Sequence, residues 1–174
     1  MAGSLIKIQE TIVSSAVSSV TLTGIDSTFD VYKVVGSNIK SASDDKDLFM
    51  RVTVGGTAQT TSNYDEATKN LRTDTTFSNS SLLNLDRWQP FSALGNATAE
   101  NGNLVCYLFN FNNASEFSFC TRESLYNVAD LALFGMQGGG VYTVAEAHDG
   151  INFSLESSTN FSSGTTFSLY GLGK

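Results

Sequence analysis

The only histidine, His148, is the residue best suited to general base catalysis, and it immediately precedes Asp149-Gly150. Histidine fills this role most often because its ordinary pKa lies near neutral pH. Asp-Gly between alternating apolar segments is typical of a two-residue hairpin turn, so we expect His148 to be an exposed turn residue. No serine lies in a Gly-x-Ser-x-Gly nucleophile motif. The sequence therefore predicts a protein that is not an enzyme and that binds no cofactor.

Three carboxylates occur close together at Asp44, Asp45 and Asp47. A calcium ion needs six or more oxygen ligands, and this segment lacks the glycine and the final glutamate of an EF-hand loop. Lys46 also offsets part of the negative charge. We therefore interpret the segment as a solvated loop before a strand and predict no metal site.

A second group of candidate residues is the glycine-rich segment 135–140. A phosphate-binding loop ends in Gly-Lys-Ser/Thr and leads into a helix, whereas here no lysine follows and the next residues alternate as a strand does. The segment is therefore predicted to be a flexible connection.

Both cysteines belong to a predicted hairpin. A three-residue turn centred on Asn113 would place Cys106 directly opposite Cys120, which would allow a cross-strand disulfide, while other turn lengths shift the register. The N-terminal residues show no secretion signal, so two reduced, buried thiols are the favoured interpretation. The phenylalanines of this hairpin have the spacing of a core face: Phe109, Phe111, Phe117 and Phe119.

The candidates for contact with a partner are Trp88, Pro90, Phe91 and Tyr64. Trp88, the only tryptophan, lies outside regular alternation, and tryptophan is enriched at the energetic centres of protein interfaces. An interface or ligand contact and a small satellite core are both compatible with its position. Tyr64 belongs to a segment, 63–72, whose spacing is compatible with a short helical turn.

The elements that position these residues are predicted to be strands. Alternation of period two recurs along the chain, as in Leu48–Val54, where every second residue is apolar. Short strands separated by polar turns predict one all-β domain over residues 1–174, an antiparallel, jelly-roll-like β-sandwich. Residues 57–103 depart from this pattern and are predicted to be a long, loop-rich excursion beside the sandwich.

Composition excludes several classes of partner. The 174 residues carry a net charge of −7, with 41% hydrophobic and 16% charged residues, which suits a folded core rather than disorder. Without clusters of lysine and arginine, a nucleic-acid partner is not expected. No apolar stretch approaches the length of a membrane-spanning helix, so no membrane partner is expected either.

The C-terminal residues carry a resemblance to a known group of proteins. Asp149-Gly-Ile-Asn-Phe-Ser and Ser163-Gly-Thr-Thr-Phe-Ser-Leu-Tyr-Gly171 resemble the ending of small virion proteins of tailed, especially marine, bacteriophages. The early segments Phe29–Val35 and Asp47–Thr53, and Ser62-Asn-Tyr-Asp65 after them, look similar too. In those proteins a strand of this kind closes a jelly-roll-like sandwich.

The resemblance implies a structural protein located in the virion, assembled in the host cytoplasm. Two placements are implied. The first is a capsid decoration or cement protein on the outer shell, a homotrimer that contacts the major capsid protein or another virion protein. The alternative is a tail fibre or tail-associated host-attachment protein with a carbohydrate-binding sandwich domain. The resemblance carries no catalytic residues with it.

Overall fold

The computed structural model describes residues 4–129 and 132–173. The strands are β1 (Leu5–Ile12), β2 (Ser19–Thr23), β3 (Val31–Ile39), β4 (Lys46–Val54), β5 (Thr57–Ala58), β6 (Tyr64–Arg72), β7 (Ser78–Leu85), β8 (Trp88–Leu94), β9 (Gly102–Phe109), β10 (Ser118–Asn127), β11 (Leu133–Tyr142), β12 (Gly150–Leu155) and β13 (Thr166–Leu172). Within the described part, the one helical element is a single 3-10 turn, Glu156–Ser158.

The strands form two antiparallel sheets arranged as a sandwich, as predicted. The larger sheet has eight strands in the order β1-β13-β3-β9-β10-β11-β6-β7. The smaller has the order β2-β12-β4-β5, and β8 also pairs with β4. Side chains from both inner faces form one hydrophobic core. The jelly-roll detail stays a prediction.

Strand β10 shows why the chain folds into sheets. Every second residue from Ser118 to Tyr126 is buried and the residues between them are exposed, which is the period of a strand with one face in the core. Three of the buried residues are polar: Ser118, Arg122 and Ser124. The core therefore contains polar groups that need partners inside the protein.

The predicted loop-rich excursion over residues 57–103 is wrong, because this region contains β5, β6, β7 and β8 and begins β9. The predicted helical turn at 63–72 is a strand, β6, which pairs with β11 and β7. Its buried residues are Tyr64, Glu66 and Thr68. Two of these three residues are polar. The sequence therefore shows no hydrophobic alternation here, although every second residue is buried in the structure.

The predicted flexible connection at 135–140 is also wrong, because these glycines lie inside β11 between β10 and β6. A Cβ atom on Gly140 would lie 2.4 Å from Nε1 of Trp88, and one on Gly138 would lie 2.2 Å from the Ala67 carbonyl oxygen. Glycine is required here because neighbouring atoms occupy the space of a side chain. These residues allow close packing.

Asp149-Gly150 does not form the predicted hairpin turn, since β11 and β12 belong to different sheets. The Asp149 carboxylate accepts hydrogen bonds from Oγ1 of Thr53 at 2.6 Å and from the backbone N–H of Gly56 at 2.8 Å. Asp149 thus links the start of β12 to β4 and to the turn that follows β4. A side chain does not fit at Gly150, because a Cβ atom there would lie 2.2 Å from the carbonyl oxygen of Leu22.

Candidate functional site

His148 is fully buried, so the prediction of an exposed turn residue is wrong. Its ring lies between Phe111, with ring centroids 5.6 Å apart, and Tyr142, with centroids 5.1 Å apart. Its backbone N–H donates to the Phe111 carbonyl at 2.6 Å. His148 therefore lies in the core, although Ala145 and Ala147 beside it are exposed.

The imidazole of His148 shares a hydrogen bond with the hydroxyl of Ser118, with 2.8 Å between Nδ1 and Oγ. Nε2 lies 3.6 Å from a carboxylate oxygen of Glu146. Burial lowers the pKa of His148, because the charged ring would lose its hydration, and Glu146 opposes this only in part. Ser118 is sealed in the core as well. This serine–histidine–carboxylate arrangement therefore offers no route for a substrate to the hydroxyl.

The four residues predicted to contact a partner, Trp88, Pro90, Phe91 and Tyr64, are all buried, so that prediction is wrong. The ring of Trp88 packs edge-on against Tyr64, with centroids 5.1 Å apart, and its Nε1 donates to the Asp65 carbonyl at 3.3 Å. Phe91 stacks on Tyr126. These aromatic residues belong to the main core because β8 lies in the smaller sheet, facing β10 and β11.

A buried ion pair within the eight-stranded sheet lies beside Trp88 and is hydrogen-bonded to the smaller sheet through Gln89. Nη2 of Arg122 donates to Oε2 of Glu66 at 2.7 Å, and also to the Gln89 carbonyl at 3.1 Å. The same Glu66 oxygen accepts from the Gln89 backbone N–H at 2.9 Å. Among the described residues, Nε and Nη1 of Arg122 have no hydrogen-bond partner. The pair neutralises two buried charges but leaves the guanidinium incompletely satisfied.

The two cysteines are free and buried. Cys106 faces Arg122 across the β9–β10 pair and Cys120 faces Leu108, so the cysteines are diagonal neighbours rather than directly opposed. The hydrogen bond that Cys106 shares with Cys120, together with burial, raises the pKa of the Cys106 thiol. Both side chains therefore contribute to packing as thiols.

The aspartate segment, which ends inside β4 at Asp47, has structural partners. Asp47 accepts hydrogen bonds from the backbone N–H of Ala93 at 3.0 Å and from Nε2 of Gln89 at 2.9 Å, and Asp44 accepts from the Asn96 backbone. Burial raises the pKa of Asp47. In residues 4–129 and 132–173, no cluster of three or more His, Cys, Asp or Glu side chains is arranged to hold a metal ion.

The clearest surface feature is the concentration of exposed, large apolar side chains on one of the two sheets. In the described chain all ten of them lie on the eight-stranded sheet or directly before one of its strands: Leu5, Ile6, Ile12, Phe77, Leu82, Leu83, Phe117, Phe119, Leu125 and Leu133. The smaller sheet contributes none of them. We name the outward side of the eight-stranded sheet, with its two outer strands β1 and β7, the apolar face.

A shallow groove of about 400 Å³ crosses the middle of the apolar face. Its apolar lining includes Val35 on β3, Val105 on β9 and Leu125 on β10, which are successive strands, and Leu71 on β6, which lies beyond β11. Val105 and Val35 are directly paired across β9 and β3. A monomer rarely exposes contiguous apolar surface without a use for it, so the groove and its surroundings are the candidate functional site.

Comparisons with protein-family models, curated proteins and solved structures returned no match. The apolar face is therefore identified as a candidate site by its geometry alone. The described residues include no helix long and apolar enough to span a bilayer.

Sequence reasoning missed the apolar face because it assigned the hairpin phenylalanines to the core. Phe117 and Phe119 are exposed, while Phe111 is buried. The bulk of Cys120 and Arg122 occupies the inner face of β10, which turns Phe119 outward. One signal was present: β7 contains Leu82 and Leu83 next to each other, and adjacent residues of a strand cannot both face one core.

Proposed function

We propose that this chain is a structural protein of the virion of a tailed bacteriophage, a capsid decoration or cement protein bound to the outer shell as an oligomer. The observation that carries the proposal is the apolar face, since the exposed, large apolar side chains of the described residues lie on or beside the eight-stranded sheet and none lies on the smaller sheet. The resemblance of residues 149–154 and 163–171 to small virion proteins supports the placement in a particle.

Decoration by such a protein works through many equal contacts. Each copy covers apolar surface on its neighbours, at about 25 cal/mol per Å² removed from water. Repetition over a symmetric shell then adds modest contacts into a stable lattice. The net charge of −7 favours the solubility of unassembled protein and disfavours nonspecific aggregation.

The copy number of the chain in purified particles tests the placement. Quantitative mass spectrometry of phage particles should give on the order of hundreds of copies if the protein decorates the shell, and about a dozen or fewer if it belongs to the tail. Absence from purified particles would refute a virion role altogether.

A pair of variants tests the docking side. Leu125→Lys places a charge in the groove of the apolar face, and Thr57→Lys places the same charge on the exposed part of the smaller sheet. We expect occupancy on particles to fall for Leu125→Lys and to stay at the wild-type level for Thr57→Lys. Equal occupancy of both variants would show that the apolar face does not dock.

The second candidate function is a tail-associated host-attachment protein that binds carbohydrate. One observation favours it: a second cavity of about 400 Å³ lies between the β2–β3 loop and the β9–β10 turn. Its lining includes the carboxylates of Asp26 and Asp30, the amides of Asn110 and Asn112, and the ring of Phe29. Planar polar groups beside an aromatic ring suit the hydroxyls and the apolar face of a sugar.

A glycan array tests this candidate. Binding that disappears in Asn112→Ala and persists in Thr57→Lys would support sugar recognition in the second cavity, and no signal from wild-type protein would refute it. Fluorescence of the single tryptophan is a poor reporter here because Trp88 is buried in the core.

A further inference from the structure

Strand β7 ends the eight-stranded sheet and pairs with β6 on one side only. The pairing is regular from Ser78 to Leu82, which face Asn70 to Glu66 without a register shift. On its other side β7 pairs with no strand of residues 4–129 or 132–173. Its outward N–H and C=O groups therefore form an open edge, which is a template for one more strand.

This edge lacks the features that normally protect an outer strand. Proteins block such edges with charges, proline, bulges or a short strand. The eight residues of β7 include no charged residue and no proline, and its bulge comes only after Leu82, where Asn84 adopts a positive φ. The opposite outer strand, β1, carries Lys7 and Glu10 and has a bulge between Lys7 and Gln9. The two edges of one sheet thus differ, and β7 is the unprotected one.

The exposed apolar residues around this edge are placed symmetrically. Phe77 is 60% exposed and Leu83 is 67% exposed, and each lies three residues from Ser80. In an antiparallel pair of identical strands centred on Ser80, residue Phe77 of one strand faces Leu83 of the other. The same contact repeats at the other end, so the edge is complementary to itself.

We propose that β7 is the contact between two copies of this chain, which pair antiparallel through Ser78–Leu82 about a two-fold axis at Ser80. A second copy fits better than another protein because the edge matches itself in register and in its apolar ends. Its neutrality also lets two chains of net charge −7 meet without like charges facing each other at the seam. The pairing joins two eight-stranded sheets into one continuous sheet.

This inference deepens the proposed function, on which it rests for its biological setting, by naming the partner and the surface of self-association. It predicts a two-fold dimer in place of the homotrimer that the resemblance implies. The β7 seam leaves the groove around Leu125 free, so a dimer presents two grooves on one broad surface.

Light scattering after gel filtration tests the dimer. Wild-type protein should have twice the 18.6 kDa mass of the chain. Asn79 faces Ser81 of the other copy in the proposed register, and both side chains are exposed. The variant Asn79→Lys/Ser81→Lys and the variant Asn79→Glu/Ser81→Glu should therefore each be monomeric, since four like charges meet at the seam.

Mixing the lysine variant with the glutamate variant in equal amounts should give a heterodimer of the wild-type dimer mass, because opposite charges then face each other. The matched control, Ile12→Lys on β1, should leave the wild-type dimer intact. A wild-type mass of one or three chains, a dimer that survives either charged variant, failure of the mixture to reassociate, or loss of the dimer in the control would each overturn the inference.

Two further measurements keep the result interpretable. Circular dichroism identifies any variant that fails to fold, and amide hydrogen exchange of wild-type residues 78–82 should slow as the protein concentration rises if β7 is the seam. Particle occupancy is scored separately. A dimer that is absent from particles refutes the proposed function alone, and a virion protein without the β7 dimer refutes this inference alone.

Discussion

Replacing Glu66 by glutamine is expected to lower the free energy of unfolding by about 3–5 kcal/mol, because it leaves a buried cation without its counter-charge. Arg122 and Glu66 are both buried, and Nη2 of Arg122 lies 2.7 Å from Oε2 of Glu66. The remaining Arg122 contact is the Gln89 carbonyl. With a total stability of about 5–15 kcal/mol for a domain of this kind, the variant should remain mostly folded.

The complementary variant, Arg122→Met, should cost a similar amount because Glu66 then keeps only the N–H of Gln89. In the double variant, Glu66→Gln/Arg122→Met, both charges are gone and the glutamine oxygen can still accept from that N–H. We expect the double variant to lose no more than about 2 kcal/mol, which is the scale of one unsatisfied buried polar group. The double change should therefore be milder than either single change.

Urea unfolding followed by the fluorescence of Trp88, which is buried next to this pair, measures the three differences at constant m-value. The exposed pair Lys7–Glu10 supplies a control, and Glu10→Gln should leave the unfolding midpoint unchanged. Single losses below about 1 kcal/mol, or a double loss equal to the sum of the single losses, would show that the buried charges do not depend on each other.

Gly140→Ala should lower the free energy of unfolding by about 1–3 kcal/mol because its Cβ would lie 2.4 Å from Nε1 of Trp88; an unchanged thermal midpoint would contradict this. Wild-type stability should fall as the pH drops below about 6.5, since the unfolded chain then takes up a proton at His148 that the folded chain, with its lowered pKa, does not. His148→Gln should reduce that slope, and identical pH curves would refute the assignment. Cys106 and Cys120 should react with Ellman's reagent only after unfolding, and rapid labelling of the native protein would show that they are accessible.

The fold class was predictable because several strands bury apolar residues at every second position. Met50 and Val52 of β4 are buried as their alternation indicates. The same rule failed for β6, where the next buried residue after Tyr64 is the charged Glu66. The burial of Glu66 depends on its ion pair with Arg122, which lies in a strand far along the chain. A pairing between distant residues leaves no local hydrophobic pattern, so the sequence alone could not place β6 in the sheet.

The places of the residues singled out for function were less predictable than the fold. The irregular alternation around Trp88 favours a contact with a partner, whereas the structure relates this irregularity to register shifts in the pairing of β8 with β4. The composition of Asp149-Gly150 predicts a turn at His148, whereas the Asp149 carboxylate accepts a hydrogen bond from Thr53 on β4. In both cases a long-range contact replaced the local rule.

The order of the eight-stranded sheet has a consequence for biosynthesis. Strand β1 pairs with β13, from Leu5 opposite Leu172 to Ile12 opposite Thr166, and β13 in turn lies between β1 and β3. Strand β1 leaves the ribosome before the other strands of this sheet and therefore has no strand partner until β13 has been translated. At about 5–20 residues per second, the backbone N–H and C=O groups of β1 remain without a neighbouring strand for many seconds. Chaperones that hold nascent chains would have their longest opportunity at this strand.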